Sequence, residues 1–487
     1  MPGIPSNVVE PIFAIDFDSS RSGAGNFDFP VQLLCIGQKL STGEQDSEVP
    51  LVLRNEFEVG KAFGYGSQIH LMSKKIFLNS TTIPIVFIAL DDLTSGNTAA
   101  TNVITFSGTA TENGYLVIYI GGRRYSISVA VGDTAAVACT ALYNLLYLDL
   151  ANLPCTLTDN TTGTLTLTAK NKGVSAGDLN VRFNYNSNEA TPSGLSHAIV
   201  YTAGTGDPDV DDALAVLDDD WYPVIASAYD DATNMGKVEA AMLARADILT
   251  RKEGVCFYAK RDTVANMVTF ATNANRNSQY SSLFPAYNRC ESTFELSAGI
   301  AAAVAQSIVS DSAQPLKSIK LNGFLTLEKS DRVIFSDRNY LAQNGVSTLT
   351  DYNGVQTSSM ITMYRLNESG APDNAYKQLN TMFTLLDTRY QLEVQINTKY
   401  SRAKLATTAE GVDTEQQIMT PSIGRAEAII WFRRMARQGK FENLLDRFIE
   451  LLEVTRDDTN VNRLNFSLPP NLMNQFLIGS GTMYFEQ

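Results

Sequence analysis

Seven aspartates crowd one stretch: Asp207, Asp209, Asp211 and Asp212 stand before a short helical run, and Asp218, Asp219 and Asp220 follow it. Carboxylates at alternate positions are what a calcium loop supplies, so metal binding is the first chemistry to test. It fails on spacing. The sixth position, where the loop needs glycine, is Asp212, and the twelfth, where it needs a bidentate glutamate, is Asp218. The same residues suit capping of the helix by Asp209 or Asp211 and a solvated turn beyond it. The two histidines, His70 and His197, lie far apart and in no HxxxH or HxE pattern, so neither nucleophile activation nor a multi-His metal site is expected. Cys35, Cys139, Cys155, Cys256 and Cys290 contain no CxxC pair and are odd in number. They read as small buried hydrophobes of a chain folded in a reducing cytoplasm. Gly64-Tyr65-Gly66 lacks the third glycine and the preceding strand of a dinucleotide loop, and neither a P-loop nor a nucleophile elbow occurs. No catalytic, cofactor-binding or metal-ligating residue is expected, and no cofactor.

What remains is charge and adhesive chain ends. The stretch 424–440 carries Arg425, Arg433, Arg434, Arg437 and Lys440 against the single acid Glu427. Arg433, Arg437 and Lys440 fall on one stripe at helical spacing, with Ile429, Phe432 and Ala436 on a packing stripe beside it. Such a face is either a solvated surface or a docking face for an acidic partner. At the N-terminus Ile12, Phe13, Ala14 and Ile15 read as a short apolar strand, followed by a Gly/Ser-rich link; at the C-terminus Met483, Tyr484 and Phe485 read as another. Each terminal strand can pair within its own subunit or add to the edge of a neighbour's sheet.

Between these ends the chain is globular in composition, with 44% apolar and 18% charged residues over 487 positions, enough for several domains. A net charge of −14 opposes a nucleic-acid-binding surface. The opening lacks a basic stretch leading into an apolar one, and no run of about 18 apolar residues occurs, so neither signal peptide nor membrane span is expected. Apolar runs at 31–36, 85–90, 224–228 and 255–259 alternate with helical patterns at 56–79, 210–217, 235–249 and 263–274, which predicts a mostly parallel sheet covered on both faces. The stretch 97–201 differs: it is rich in Thr, Gly and Asn, with strands that alternate. Tyr125, Ile127, Val129 and Val131 point one way, and 164–168 alternates likewise around a helix at 134–148. The fold class expected is therefore multidomain α/β. A largely parallel core (23–96 and 202–353) receives a β-rich insertion (97–201), followed by an α+β C-terminal domain (354–472), with extended arms at 1–22 and 473–487.

Several places together resemble the contractile phage tail sheath family, in its Mu-like branch. These are Phe17-Asp18-Ser19-Ser20; Leu33-Leu34-Cys35-Ile36-Gly37-Gln38; Ala62-Phe63-Gly64-Tyr65-Gly66-Ser67; the Ala-rich stretch 298–305; Leu321-Asn322-Gly323; Asp446-Arg447-Phe448; Val454-Thr455-Arg456-Asp457; Asn462-Arg463-Leu464; and Leu468-Pro469-Pro470. Asp311-Ser312-Ala313-Gln314-Pro315-Leu316 departs from the Asp-Pro-Ala-Arg-Pro-Leu that similar sheath sequences often carry. The resemblance implies a non-enzymatic virion subunit, made in the host cytoplasm, that stacks as six-fold rings around a tail tube and contracts when triggered. Its partners would be further copies of itself, the tube, the baseplate and the tail terminator, with no nucleic acid and no membrane insertion. The insertion would face outward, the arms would link neighbouring subunits, and Arg433, Arg434, Arg437 and Lys440 would face the tube. Other readings are an α/β metal-dependent enzyme using 207–220, or another virion structural protein; tube proteins are usually shorter and β-dominated.

Overall fold

The structure, a computed structural model, describes residues 28–273, 276–410 and 417–485. The expected arm residues Ile12, Phe13, Ala14 and Ile15 lie outside the described residues. The chain divides into two compact units, a larger one of residues 30–385 with the tail from 474, and a smaller one that includes 386–473.

The larger unit is built on a six-stranded sheet. Its first part runs β1 (Leu33–Gln38), β2 (Leu51–Val52), α1 (Glu56–Phe63), α2 (Gln68–Asn79) and β3 (Ile85–Leu90). Every residue of β1 and β3 is buried, as unbroken apolar runs in a doubly covered parallel sheet must be. Next come β4 (Thr101–Gly108), β5 (Gly114–Ile120), β6 (Arg123–Val129), α3 (Ala135–Tyr147), β7 (Cys155–Asp159), β8 (Thr164–Ala169), β9 (Val181–Phe183) and β10 (Leu195–Thr202). The core sheet then resumes with α4 (Asp211–Ala215), β11 (Val224–Ser227), α5 (Ala232–Arg245), β12 (Val255–Lys260), α6 (Val264–Thr272), β13 (Ser281–Pro285) and α7 (Thr293–Ser310). Strand order is β13-β12-β11-β1-β3-β2, parallel throughout except for β2. From β1 the chain steps one way to β3 and the other way to β11, β12 and β13. Right-handed crossovers therefore put α1 and α2 on one face and α5 and α6 on the other. Helix α7 packs on α2 and over β1, β11 and β12. It is long and apolar enough to cross a membrane by composition, yet most of it is buried as the core helix of this layer.

Strands β4 to β10 form two antiparallel sheets, β10-β4-β8-β7 and β6-β5-β9. With α3 they enclose a separate core of Ile104, Leu116, Ile118, Leu142, Leu146, Leu165 and Leu167. On β8 the leucines go in and the threonines lie half-exposed, the alternation legible in the sequence. Val131 does not join that face: β6 ends at Val129, and Val131 sits 60% exposed beside Gly132 at φ +93°.

After α8 (Phe335–Gln343) come the short pair β14 (Leu349–Thr350) and β15 (Gln356–Thr357). Ser347 N donates to the Leu283 carbonyl, Met363 N donates to the Ser281 carbonyl, and Ser282 Oγ donates to the Ile361 carbonyl at 2.8 Å. These bonds along β13 hold much of 354–385, grouped by composition with the C-terminal part, in the larger unit. The smaller unit contains most of α9 (Leu379–Tyr400), then β16 (Lys404–Leu405), β17 (Ile418–Met419), α10 (Pro421–Arg437), α11 (Leu445–Leu451), and the hairpin β18 (Glu453–Arg456)–β19 (Leu464–Ser467). Its core is aromatic: Trp431, Phe432, Phe441 and Phe448 are buried together, with Phe432 and Phe448 stacked at 4.3 Å.

Candidate functional site

Parallel α/β folds bind ligands at the carboxyl ends of their strands, beside the point where strand order reverses. Here that point lies between β1 and β11, and the chain's own insertion bonds to it. Gln38, at the end of β1, donates through Nε2 to Asp92 Oδ1 at 2.8 Å and to the Lys172 carbonyl at 2.7 Å. Asn171 Nδ2 donates to the Lys39 carbonyl, and Lys172 N to Asp92 Oδ2. Farther along, Arg261 grips Asp178 with two bonds of 2.8 and 3.0 Å, and Thr293 N, at the start of α7, donates to the same carboxylate at 2.7 Å. An insertion carboxylate thus occupies the helix N-terminus and arginine that an anionic ligand would seek. A cleft of about 430 Å³ beside it is lined by Asp230, Lys260 and Tyr201.

Three aspartates of the stretch, Asp207, Asp209 and Asp211, are held by bonds within the fold. Asp209 Oδ1 accepts from Asp211 N in a local turn, while the cap position of α4 falls on Val210, which supplies no side-chain bond, so neither Asp209 nor Asp211 caps the helix; Lys237 pairs with both at 2.5 and 2.7 Å. Asp207 accepts from Ser175 N and Oγ at 3.0 Å; burial nonetheless raises its carboxyl above the usual range. Among the described residues no three His, Cys, Asp or Glu side chains could hold a metal ion. His70 is buried, its Nδ1 accepts from Gly66 N at 2.9 Å, and desolvation with Lys74, Arg123 and Lys170 nearby lowers its pKa to about 3. It is a neutral turn-holding group. His197 lies against the Phe183 ring at 3.9 Å. All five cysteines are buried and unpaired with one another, and burial raises each thiol.

The basic helix is narrower than its sequence. Arg433 and Arg437 are exposed on α10. Arg434 is half-buried and donates to the Gln391 carbonyl at 3.1 Å, and Arg425 donates to the Ile449 and Leu452 carbonyls, capping α11. Lys440 corrects the expected stripe: it is buried and pairs with Asp387 at 2.5 Å. Gly439 at φ +73° ends α10 in a Schellman motif, with Gly439 N donating to Ala436 and Lys440 N to Met435, so Lys440 has left the helical stripe. Glu427 is internal; burial opposes its charge, but bonds from Lys399, Tyr400 and Gln395 hold its carboxyl below the usual range.

The C-terminal arm is uncovered. Met483, Tyr484 and Phe485 are 90%, 90% and 81% exposed, and 473–485 contains no strand. A strand needs a ladder partner, and among the described residues 482–485 have none. The hairpin β18–β19 went unread in the sequence, although its turn residues were visible. Asp457 accepts from Asn460 N, Asn465 Nδ2 and Thr459, which holds its carboxyl well below the usual range and closes the turn. Each of its strands pairs only with the other among the described residues, leaving two open edges.

No family model matches the chain. It is 32% identical over 487 residues, 99% of its length and 98% of the relative's, to the Mu-like prophage FluMu tail sheath protein of Haemophilus influenzae. In fold it is similar to the sheath tail protein of Desulfitobacterium hafniense (TM-score 0.51, 12% identity, 95% of this chain and 97% of that one). The Listeria innocua sheath tail protein Lin1278 is similar too, with TM-score 0.50, 11% identity, and 94% and 95% covered. Full-length identity at this level, on a fold that sheath proteins share, makes this chain a member of the Mu-like tail sheath family.

Proposed function

We propose that this chain polymerises as stacked six-fold rings around a tail tube and contracts to drive the tube through the host envelope, without covalent chemistry of its own. The observation that carries this reading is the arm at 482–485, whose large apolar side chains lie almost fully in water with no ladder partner among the described residues. Isolated apolar segments of this kind gain backbone bonds and burial by adding to another sheet's edge. The hairpin β18–β19 offers such edges. The N-terminal arm through Ile12, Phe13, Ala14 and Ile15 serves the same linkage, and the insertion at 97–201 faces outward from the tube. Arg433 and Arg437, assisted by Arg434, meet an acidic tube surface, where rim ion pairs set register yet are individually weak enough to release. Contraction draws on two lattice packings that differ in free energy. The subunit assembles in the host cytoplasm and works in the virion, with baseplate and terminator closing the two ends.

Negative-stain microscopy of the full chain and of a variant lacking 480–487 tests the reading. Striated hollow cylinders are expected from the first, and folded, dispersed particles from the second. Cylinders from both would overturn it.

A further inference from the structure

The tail that carries Met483, Tyr484 and Phe485 leaves the larger unit from a held root. Lys317 Nζ donates to the Phe476 carbonyl at 2.5 Å and lies 5.5 Å from the centre of the Phe476 ring. Beside it, Gln475 Nε2 donates to the Ala313 carbonyl at 3.4 Å. The loop presenting Lys317 is fixed on both sides. Leu316 is buried, its N donates to Asn380 Oδ1 at 3.2 Å, and its carbonyl accepts from Thr357 Oγ1 at 2.7 Å. Ile319 N donates to Thr357 Oγ1 at 2.8 Å, and Ser318 N donates to the Thr357 carbonyl while its backbone takes φ +62°. A non-glycine residue at positive φ persists where its surroundings over-determine it. Lys317 is therefore a cation on a rigid mount, while among the described residues the chain past Phe476 has no such bonds. Ile478 is 88% exposed, and Gly479-Ser480-Gly481 is a link without bulk. From Leu477 to Phe485 the tail reaches at most about 30 Å.

We propose that Lys317 is a positioning residue for assembly. By gripping Phe476 it fixes where, and in which direction, the C-terminal arm departs, so that 482–485 are delivered to the strand edge of an adjacent copy. This rests on the reading that the arm links subunits. A tethered segment is presented at an effective concentration set by its tether, and fixing the root shortens the tether and lowers the ordering cost of docking. The grip joins a charge-assisted bond to a cation–π contact on the same residue, so removing the charge disables both.

The experiment measures the concentration at which the full chain begins to form cylinders, by sedimentation and microscopy, for Lys317→Met, Lys317→Arg and the 480–487 deletion. Lys317→Met is expected to raise that concentration about tenfold, as a loss of roughly one order in docking affinity would. Its unpolymerised form should melt as the parent does, and Lys317→Arg should restore assembly. A merely structural role would lower the melting temperature and leave assembly of the surviving fold unchanged, which would overturn the proposal. Phe476→Ala removes the ring from a side chain that is 77% exposed, so it tests the same grip without risk to the fold. In that background Lys317→Met should add less than it does alone. If the deletion blocks assembly while Lys317→Met and Phe476→Ala assemble as the parent does, the positioning role falls and arm linkage stands. If the deletion assembles normally, arm linkage itself falls and the positioning role with it.

Discussion

Removing Asp178 should loosen the insertion from the core by an amount the geometry sets. Its carboxylate takes two bonds from Arg261 and one from Thr293 N, while Ser292 Oγ donates to its carbonyl. The side chains of Arg261 and Asp178 are 23% and 17% exposed, so the pair is mostly but not wholly dry. Breaking a fully buried pair costs about 3–5 kcal/mol; discounted for water access, Asp178→Ala should cost roughly 2–3 kcal/mol. Arg261→Ala should cost more, about 3–4 kcal/mol, because Arg261 also donates to the carbonyls of Ala286, Arg289 and Glu291, which would lose those donors. The double variant should fall short of additivity by about 1–2 kcal/mol, since one interaction is counted in both single changes. Urea unfolding reports it: the two tryptophans divide between the units, so in a Trp431→Phe background Trp221 tracks the larger unit alone. Single variants within about 0.5 kcal/mol of the parent, or strictly additive costs, would refute the latch.

Other consequences are as specific. His70 is depressed to about 3 from an ordinary 6.5, so its stabilising contribution is whole above pH 6.5 and is lost as pH falls towards 3. By pH 5 the loss is about 2 kcal/mol, and a His70→Gln variant should show a flatter stability profile across that window in urea titrations. Gly439→Ala should cost about 1 kcal/mol through backbone strain alone, because φ is +73° and nothing lies within 4 Å of the added carbon. Lys440→Met strips the cation from buried Asp387 and should destabilise the smaller unit by roughly 2–3 kcal/mol, read from Trp431 fluorescence. Charge reversal at Arg433 and Arg437 should leave the fold intact and abolish co-sedimentation with tube protein; unchanged co-assembly would count against the tube-facing helix.

Of the six core strands, β13 opens on Ser281-Ser282 and β2 is two residues long, whereas β1, β3, β11 and β12 were legible as short, largely apolar runs such as 85–90 between helices with clear caps. Asp231, for example, accepts from Thr233 N and Asn234 N at the start of α5. The insertion showed itself through alternation, and its strand ends short of Val131 at a turn in which Asp133 N donates to the Ala130 carbonyl and Gly132 takes a positive φ. Helix α9 escaped notice because its buried face carries Thr384, Asp387, Thr388, Gln391 and Gln395, polar groups that mask helical periodicity. Its partners supply the compensation: Gln395 Nε2 donates to Glu427 Oε2, and the Thr388 carbonyl accepts from Trp431 Nε1. The basic stripe was overcounted for want of one signal that was present, Gly439 as a helix stop before Lys440. The core half of the Asp178–Arg261 latch was within reach of the sequence, because Arg261 stands just past the carboxyl end of a core strand, as Gln38 and Asp92 of the neighbouring contact do. The Asp178 half was not, since its reach depends on how the insertion docks.

The chain end, on this reading, is an unmatched segment that a second copy completes as a strand. Hydrogen exchange on the unpolymerised chain and on cylinders tests this at the residues concerned. The amides of 482–485 should exchange at near-random-coil rates in the first state and slow by a factor of about 100 or more in the second, with matching protection along one edge of 453–456 or 464–467. Protection of 482–485 already present before polymerisation, or rates that do not change on assembly, would contradict it.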